Sequence, residues 1–320
     1  MAISRLKMHL DKSANIILKD CMNLKHDESC LIVTDSKLKH VGDILYKSSL
    51  KITKKSKLIL TPIPQAHGTE PPKHVADEMM KHDVALLATT KSLSHTKARE
   101  NASRKGARMA SMPGVTLGMM KRALDVDFYK IRKINNTLIS KLSNKNKIKI
   151  ITKKGTDIEF YAKKRKWIGD DGIYTKKSSF GNLPAGEIFI APLENKANGT
   201  IIVDASVGGI GKVDKNIQIK VKDGFISDIT GGKTASEFKK LLKNKLYKNA
   251  AELGIGTNYK ARITGNVLED EKVYGTCHIA FGSNIHFGGL VDVPFHVDVV
   301  VKKPTIWADD KIIMKNGRIA

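Results

Sequence analysis

The chain has 320 residues, 41% of them hydrophobic and 28% charged, a balance that leaves room for two globular domains and excludes global disorder. Its 56 Lys and Arg outnumber its 32 Asp and Glu, for a formal net charge of +24. These lysines are spread over both halves, and the densest run, 163–166, lacks the interleaved aromatics of a single-strand binder, so the charge reads as a solvated surface without a specific nucleic-acid partner.

No stretch approaches the ~20 consecutive apolar residues of a membrane span, and Met1 to Lys12 lacks the apolar core of a signal peptide, so no membrane partner and a cytoplasmic location are expected. Cys21, Cys30 and Cys277 show no Cys-x-x-Cys spacing, which argues against both a disulfide framework and a thiolate zinc site. Cys277 reads as a small buried side chain.

From the N-terminus to about Leu142, helical patterns alternate with short apolar runs. Cys30 to Val33, Lys57 to Leu60 and Val84 to Leu87 read as buried strands, and the alternation implies a parallel α/β layer. Pro62, Pro64, Pro71 and Pro72 mark a loop before a helix from His74 to Lys81, and Pro113-Gly114 marks another turn. A long helix is expected over Asp125 to Leu142. The polar stretch Ser143 to Asn146 is the expected boundary between an α/β domain, 1–142, and an α+β domain, 143–320. Beyond it β-branched residues dominate the apolar runs Ile148 to Thr152, Ile201 to Val203, Ile217 to Val221 and Val297 to Val301. One helix, Ala235 to Asn249, interrupts them, with Phe238, Leu241, Leu242 and Leu246 on one face.

The second half carries Glu187 in Gly-Asn-Leu-Pro-Ala-Gly-Glu, Glu252 in Ala-Glu-Leu-Gly-Ile-Gly-Thr-Asn, His278 in Gly-Thr-Cys-His-Ile-Ala-Phe-Gly, and His296 with Asp298 in Phe-His-Val-Asp-Val-Val. Two imidazoles and three carboxylates form a nitrogen and oxygen ligand set suited to zinc, cobalt, manganese or iron. His296 and Asp298 are two apart in an alternating run, so one strand face presents both. Taken singly, each of these residues has a plainer reading: a hydrogen-bonded core histidine, a structural ion pair, or a surface glutamate. Val207 to Lys212 has the look of a phosphate loop but neither its spacing nor its Ser or Thr, and reads as a glycine turn. His95 follows a predicted strand, where a helix-start or surface role outweighs a place in a cleft.

The phrases Ser92 to Arg99, Gly106 to Gly114, Asn182 to Glu187, Ala251 to Asn258, and Asp270-Glu271-Lys272 ahead of Gly275 to His278 together resemble the thermophilic leucyl aminopeptidase family called aminopeptidase T, whose relatives include 2,5-dihydroxypyridine 5,6-dioxygenase. The resemblance runs from about Ser92 to the C-terminus. It implies a metal-dependent aminopeptidase that is a homodimer and acts on peptide N-termini, with Glu187, Glu252, His278, His296 and Asp298 holding two divalent ions (zinc, cobalt or manganese). Glu187 or Glu252 would double as bridging ligand or proton acceptor, while a metal-bound water attacks the peptide carbon. The aminopeptidases carry a tyrosine a few residues after the ligand that His278 resembles, whereas this chain reads Phe281 to His286 there. Asn284 or His286 would then have to steady the oxyanion. The alternative is a ring-cleaving dioxygenase with a small-molecule substrate and one iron(II), held by a facial triad of His278, His296 and Asp298. A third reading is a catalytically idle metal-stabilised or nucleic-acid-binding protein.

Overall fold

The computed structural model describes residues 2–320, with side chains from Met8 onward. The chain divides into two compact units, 1–129 with 170–185, and 130–169 with 186–320.

The first unit is built on a five-stranded sheet of β1 (Cys30–Asp35), β2 (Ser56–Thr61), β3 (Val84–Ala88), β4 (Arg108–Ser111) and β5 (Phe180–Asn182), in the spatial order β2-β1-β3-β4-β5. All four pairings are parallel. Every residue of β1, β3 and β4 is buried, as in parallel strands covered on both faces, and for that reason Cys30 to Val33 of β1 and Val84 to Leu87 of β3 read as continuous apolar runs without alternation. Leu31, Val33, Val75, Ala85, Leu87 and Met109 belong to one core cluster. The helix before β3 is Lys73–Met79, close to its expected place.

The second unit places an eight-stranded antiparallel sheet and a seven-stranded sheet around a single apolar core. Ile148, Ile150, Ile158, Ile201 and Ile219 of the first sheet and Ile190, Leu253, Ile279 and Val299 of the second share that cluster. The expected combination of a parallel α/β layer and an α+β part is therefore what the chain forms. Four neighbouring strands of the seven-stranded sheet concern function: β6 (Glu187–Ile190), β7 (Ala250–Gly256), β8 (Thr276–Gly282) and β9 (His296–Lys302).

Three local expectations are revised. The long helix is Phe128–Leu142, and its Leu138 and Leu142 lie in the second unit's core. The units accordingly change over near its first turn, and Ser143 to Asn146 is a turn inside the second unit. Residues 170–185 return to the first unit to add β5. The helix expected over Ala235 to Asn249 is Lys233–Leu241 followed by a separate turn, Leu246–Lys248. Leu242 leaves helical geometry at φ −81°, ψ 65°, and the Asn244 side chain accepts the Tyr247 amide at 3.1 Å, a local bond that competes with helix continuation. Leu241 and Leu246 stay exposed.

Candidate metal centre

The four strands β6 to β9 have two chemically opposite faces, as strict alternation requires. Ile188, Ile190, Leu253, Ile255, Cys277, Ile279, Phe281, Val299 and Val301 point into the core. Cys277 is among them, and burial pushes its thiol pKa up, so it is an inert core residue. The other face carries Glu187 and Phe189, Glu252 and Gly254, His278 and Ala280, and His296 and Asp298.

Register places these groups side by side. Gly254 pairs with both Phe189 and His278, Ala280 pairs with both Glu252 and Asp298, and Gly282 pairs with His296. Small residues thus alternate with ligand-type residues across the sheet and leave a depression into which the long side chains lean. At Gly254 this is obligatory: a Cβ would overlap Nε2 and Cε1 of His278 outright and stand 2.8 Å from its Cδ2. Gly186, at φ +127°, lets the chain turn into Glu187, and a Cβ there would come within 2.7 Å of the Asn258 Cβ. The Glu187 carbonyl is held by the Asn135 amide at 2.9 Å, and Asn135 in turn accepts from Thr257 Oγ1 at 2.6 Å.

The functional atoms converge. His278 Nε2 stands 3.3 Å from Glu187 Oε2 and 3.3 Å from Glu252 Oε1. His296 Nε2 stands 3.4 Å from Glu252 Oε2 and 3.7 Å from Asp298 Oδ1. One ligand atom from each of Glu187, Glu252 and His278 falls within 4.8 Å of the other two, a spacing that one metal ion can span. All three are buried, and the His296 side chain is 35% exposed.

His296 Nδ1 lies 2.9 Å from the Ser283 carbonyl. A carbonyl only accepts, so Nδ1 carries the hydrogen, and in the neutral ring the Nε2 lone pair faces the carboxylates. Lone pairs facing carboxylate oxygens require a cation or a proton between them. Protons answer in part: burial opposes a charged His278, but its hydrogen bond to Glu252 and the charges of Glu187 and Asp298 overcome this and push its pKa up to about 9. His296 moves the same way against burial, through Asp298 and Glu252, with solvent screening at its exposed edge. Glu187 Oε2, which faces His278 Nε2, is buried without a hydrogen-bond partner. Such a donor set fits a divalent ion, which would displace the protons and satisfy the facing lone pairs.

Two residues outside the expected set belong here. The Lys272 ammonium, 2% exposed, donates to Glu187 Oε1 at 2.5 Å and stands 2.7 Å from Glu271 Oε1. Burial, with Asp298 and Glu187 nearby, raises the Glu271 pKa against the pull of Lys272. Both lie in the phrase Asp270-Glu271-Lys272, which was the sequence signal available for them. Asn284 plays a different part from an oxyanion donor. It is fully buried, gives its Nδ2 to Glu194 Oε1 at 3.0 Å and accepts the Val291 amide at 2.9 Å, so it folds its own loop. His286 sits exposed on the short turn Ile285–Phe287. His95 lies in an exposed turn just before Thr96, which caps the helix Lys97–Arg104. Val207 to Lys212 is a small antiparallel hairpin with Gly209 at φ +74°.

The family model for NicX, 2,5-dihydroxypyridine 5,6-dioxygenase, matches residues 43–320. The chain belongs to the 2,5-dihydroxypyridine 5,6-dioxygenase family. A curated member from Pseudomonas putida KT2440 is 24% identical over 253 residues, covering 73% of this chain and 70% of that protein. A solved 2,5-dihydroxypyridine dioxygenase from the same organism superposes with a TM-score of 0.83 at 17% identity, covering 98% of this chain and 97% of that one. Wild-type AmpT from Thermus thermophilus superposes at 0.74 with 15% identity, covering 98% and 99%. At such identities the two superpositions speak to fold alone.

Membership of the dioxygenase family overturns the hydrolase expectation. The aminopeptidase resemblance survives as a shared fold, and the peptide substrate and the oxyanion roles given to Asn284 and His286 fall with the hydrolase. The physical reason is that a nitrogen and oxygen ligand set specifies a metal, not the reaction run on it. No helix among the described residues is long and apolar enough to cross a membrane.

Proposed function

We propose that this chain is an iron(II)-dependent dioxygenase that opens a small hydroxylated pyridine-type ring, with 2,5-dihydroxypyridine as the first substrate to try. The observation that carries the reading is the convergence of two buried carboxylates, Glu187 and Glu252, on the buried His278 imidazole, with His296 and Asp298 beside them, in a chain of the dioxygenase family. Iron(II), when bound, supplies a centre at which the ring oxygens and dioxygen meet and exchange electrons, so both atoms of dioxygen enter the product without an external reductant.

His278, His296 and Asp298 would hold one ion in the two-imidazole, one-carboxylate pattern that leaves coordination positions open. The Ser283 carbonyl keeps the His296 ring in the tautomer that offers Nε2. Glu252, which faces both imidazoles, and Glu187 then exceed what one ion requires, and one of them would accept the proton released by a ring hydroxyl. Lys272 occupies Glu187 Oε1, so only Oε2 of that carboxylate is turned to the metal, which favours one ion over two.

The test is anaerobic loading with iron(II), followed by addition of 2,5-dihydroxypyridine and oxygen-18 gas. About one iron per chain, with one dioxygen consumed per ring opened and two labelled atoms in the product, is the expected result. A requirement for two ions per chain, or no oxygen uptake with the ring substrate, would refute it.

A further inference from the structure

Phenylalanine is scarce in this chain, 9 in 320 residues, yet two of these rings flank the ligand face. Phe189 lies on β6 two residues after Glu187 and pairs with Gly254 in the row that also holds His278. Phe287 lies on the loop between β8 and β9. Its ring is perpendicular to that of Phe189 at 5.6 Å and perpendicular to the His296 ring at 6.0 Å, the edge-to-face arrangement that aromatic quadrupoles favour. Neither phenylalanine is fully buried.

The loop that carries Phe287 is pinned at three points. Glu194 accepts the Asn284 amide at 3.0 Å and the Leu290 backbone amide at 2.8 Å, and is itself paired with Arg165 at 2.5 Å. At the loop's end the Ser283 amide bonds the Phe295 carbonyl at 2.8 Å, and the Phe295 ring stacks on Tyr247 at 4.5 Å and 7°. Gly289 admits the Asn284 side chain, which any Cβ there would overlap. This fastening holds residues 284–290 in one place, as a ring that must present one fixed edge to a substrate requires.

We infer that Phe189 and Phe287 form a preset aromatic wall that receives the flat face or edge of a hydroxylated aromatic ring while its oxygens reach the metal cluster, and so select planar rings as substrates. This rests on the ring-cleaving reading above and names the groups that would enforce it. The wall positions the ring and takes no part in electron or proton transfer.

The experiment measures equilibrium binding of 2,5-dihydroxypyridine to the iron(II)-loaded protein without oxygen, alongside KM, kcat and iron affinity, for wild type, Phe287→Leu, Phe189→Leu and Phe287→Tyr. Leucine keeps apolar bulk and removes the π-face. Each Leu variant is expected to weaken ring binding and raise KM about tenfold, or 1.4 kcal/mol, with kcat within about threefold and iron affinity unchanged. Phe287→Tyr should bind the ring as wild type does. Ring binding and KM unchanged in both Leu variants, while the wild type cleaves the ring, would overturn the wall and leave the dioxygenase reading standing. A loss of ring binding that tracks a loss of iron would also overturn it, making Phe287 a support for His296. A wild type that neither binds nor cleaves the ring would sink the dioxygenase reading and the wall together.

Discussion

Gly254→Ala is the sharpest probe of the ligand face, because opposing effects of known size act on it. In a strand an alanine is intrinsically better than glycine by roughly 0.5–1 kcal/mol, so a site without tertiary constraint would gain stability. Here the new methyl would overlap His278 Nε2 and Cε1 and stand 2.8 Å from Cδ2, where carbon atoms rest at about 3.5–4.0 Å. The imidazole must retreat by ~1 Å or more, and overpacking of this kind costs about 1–3 kcal/mol. With a clash this close the cost falls toward the upper end of that range and outweighs the propensity, so a net loss of about 1–2.5 kcal/mol is expected in urea unfolding of the metal-free protein.

Metal binding should suffer more, since a bond of about 2.0–2.2 Å does not survive such a shift; iron affinity measured against a competing chelator should fall at least ~10–100-fold. The decisive measurement is a double-mutant cycle with His278→Ala. Removing the ring makes room for the methyl, so Gly254→Ala in that background should cost nothing, and the two changes should be non-additive by ~1 kcal/mol or more. Additivity within about 0.5 kcal/mol, or iron affinity within threefold of wild type, would refute the account of why Gly254 is a glycine.

Three other outcomes follow from the same geometry. His296→Ala and Asp298→Ala should each abolish iron occupancy while leaving the circular dichroism spectrum and unfolding midpoint of the metal-free protein nearly unchanged, because both side chains point away from the core; retained iron in either variant would return the pair to a structural role. Lys272→Met should strand the buried carboxylate of Glu187 and cost ~3–5 kcal/mol in denaturant unfolding of the metal-free protein, with a loss under ~1 kcal/mol contradicting a buried ion pair. In the first unit, the Arg108 guanidinium grips both oxygens of Glu28 at 2.9 and 2.6 Å and holds its pKa below the usual 4.5. A depressed carboxylate contributes stability above its unfolded value that disappears as pH falls through the folded one, so Glu28→Gln should destabilise at pH 7 and shallow the acid limb below pH 4.5; an identical acid limb in the variant would remove Glu28 from the titration.

The parallel layer was legible because strands covered on both faces read as unbroken apolar runs, which is how Cys30 to Val33 and Val84 to Leu87 stood out. Phe180–Asn182 was invisible for the opposite reason, since three residues carry no period. The overextended helix after Ala235 had the correct apolar spacing, and the Asn244 side chain that breaks it acts through a local bond that spacing does not register. In the candidate site, period two placed His296 and Asp298 on one strand face, but it was the family resemblance of the surrounding phrases that singled out all five ligand-type residues. Lys272 hid behind the rule that lysines belong at the surface, and Phe287 sits on a loop, where no periodicity points to an inward ring. The hydrolase expectation fails because five ligand-type positions specify a metal and not the reaction run on it, whereas the tyrosine missing after His278 is the local sign against peptide hydrolysis.

The four ligand-bearing strands are drawn from residues 187, 252, 278 and 296–298, far apart along the chain, and each hides its ligands behind a strict alternation with core residues. If β9 slid by one residue against β8, His296 and Asp298 would plunge into the oil of the core and Val297 and Val299 would take their places at the cluster. An ion taken up by this face would therefore proofread assembly: only a sheet whose strands have all met in the correct phase could capture it, and its binding energy would draw the population toward that pairing and away from its near misses.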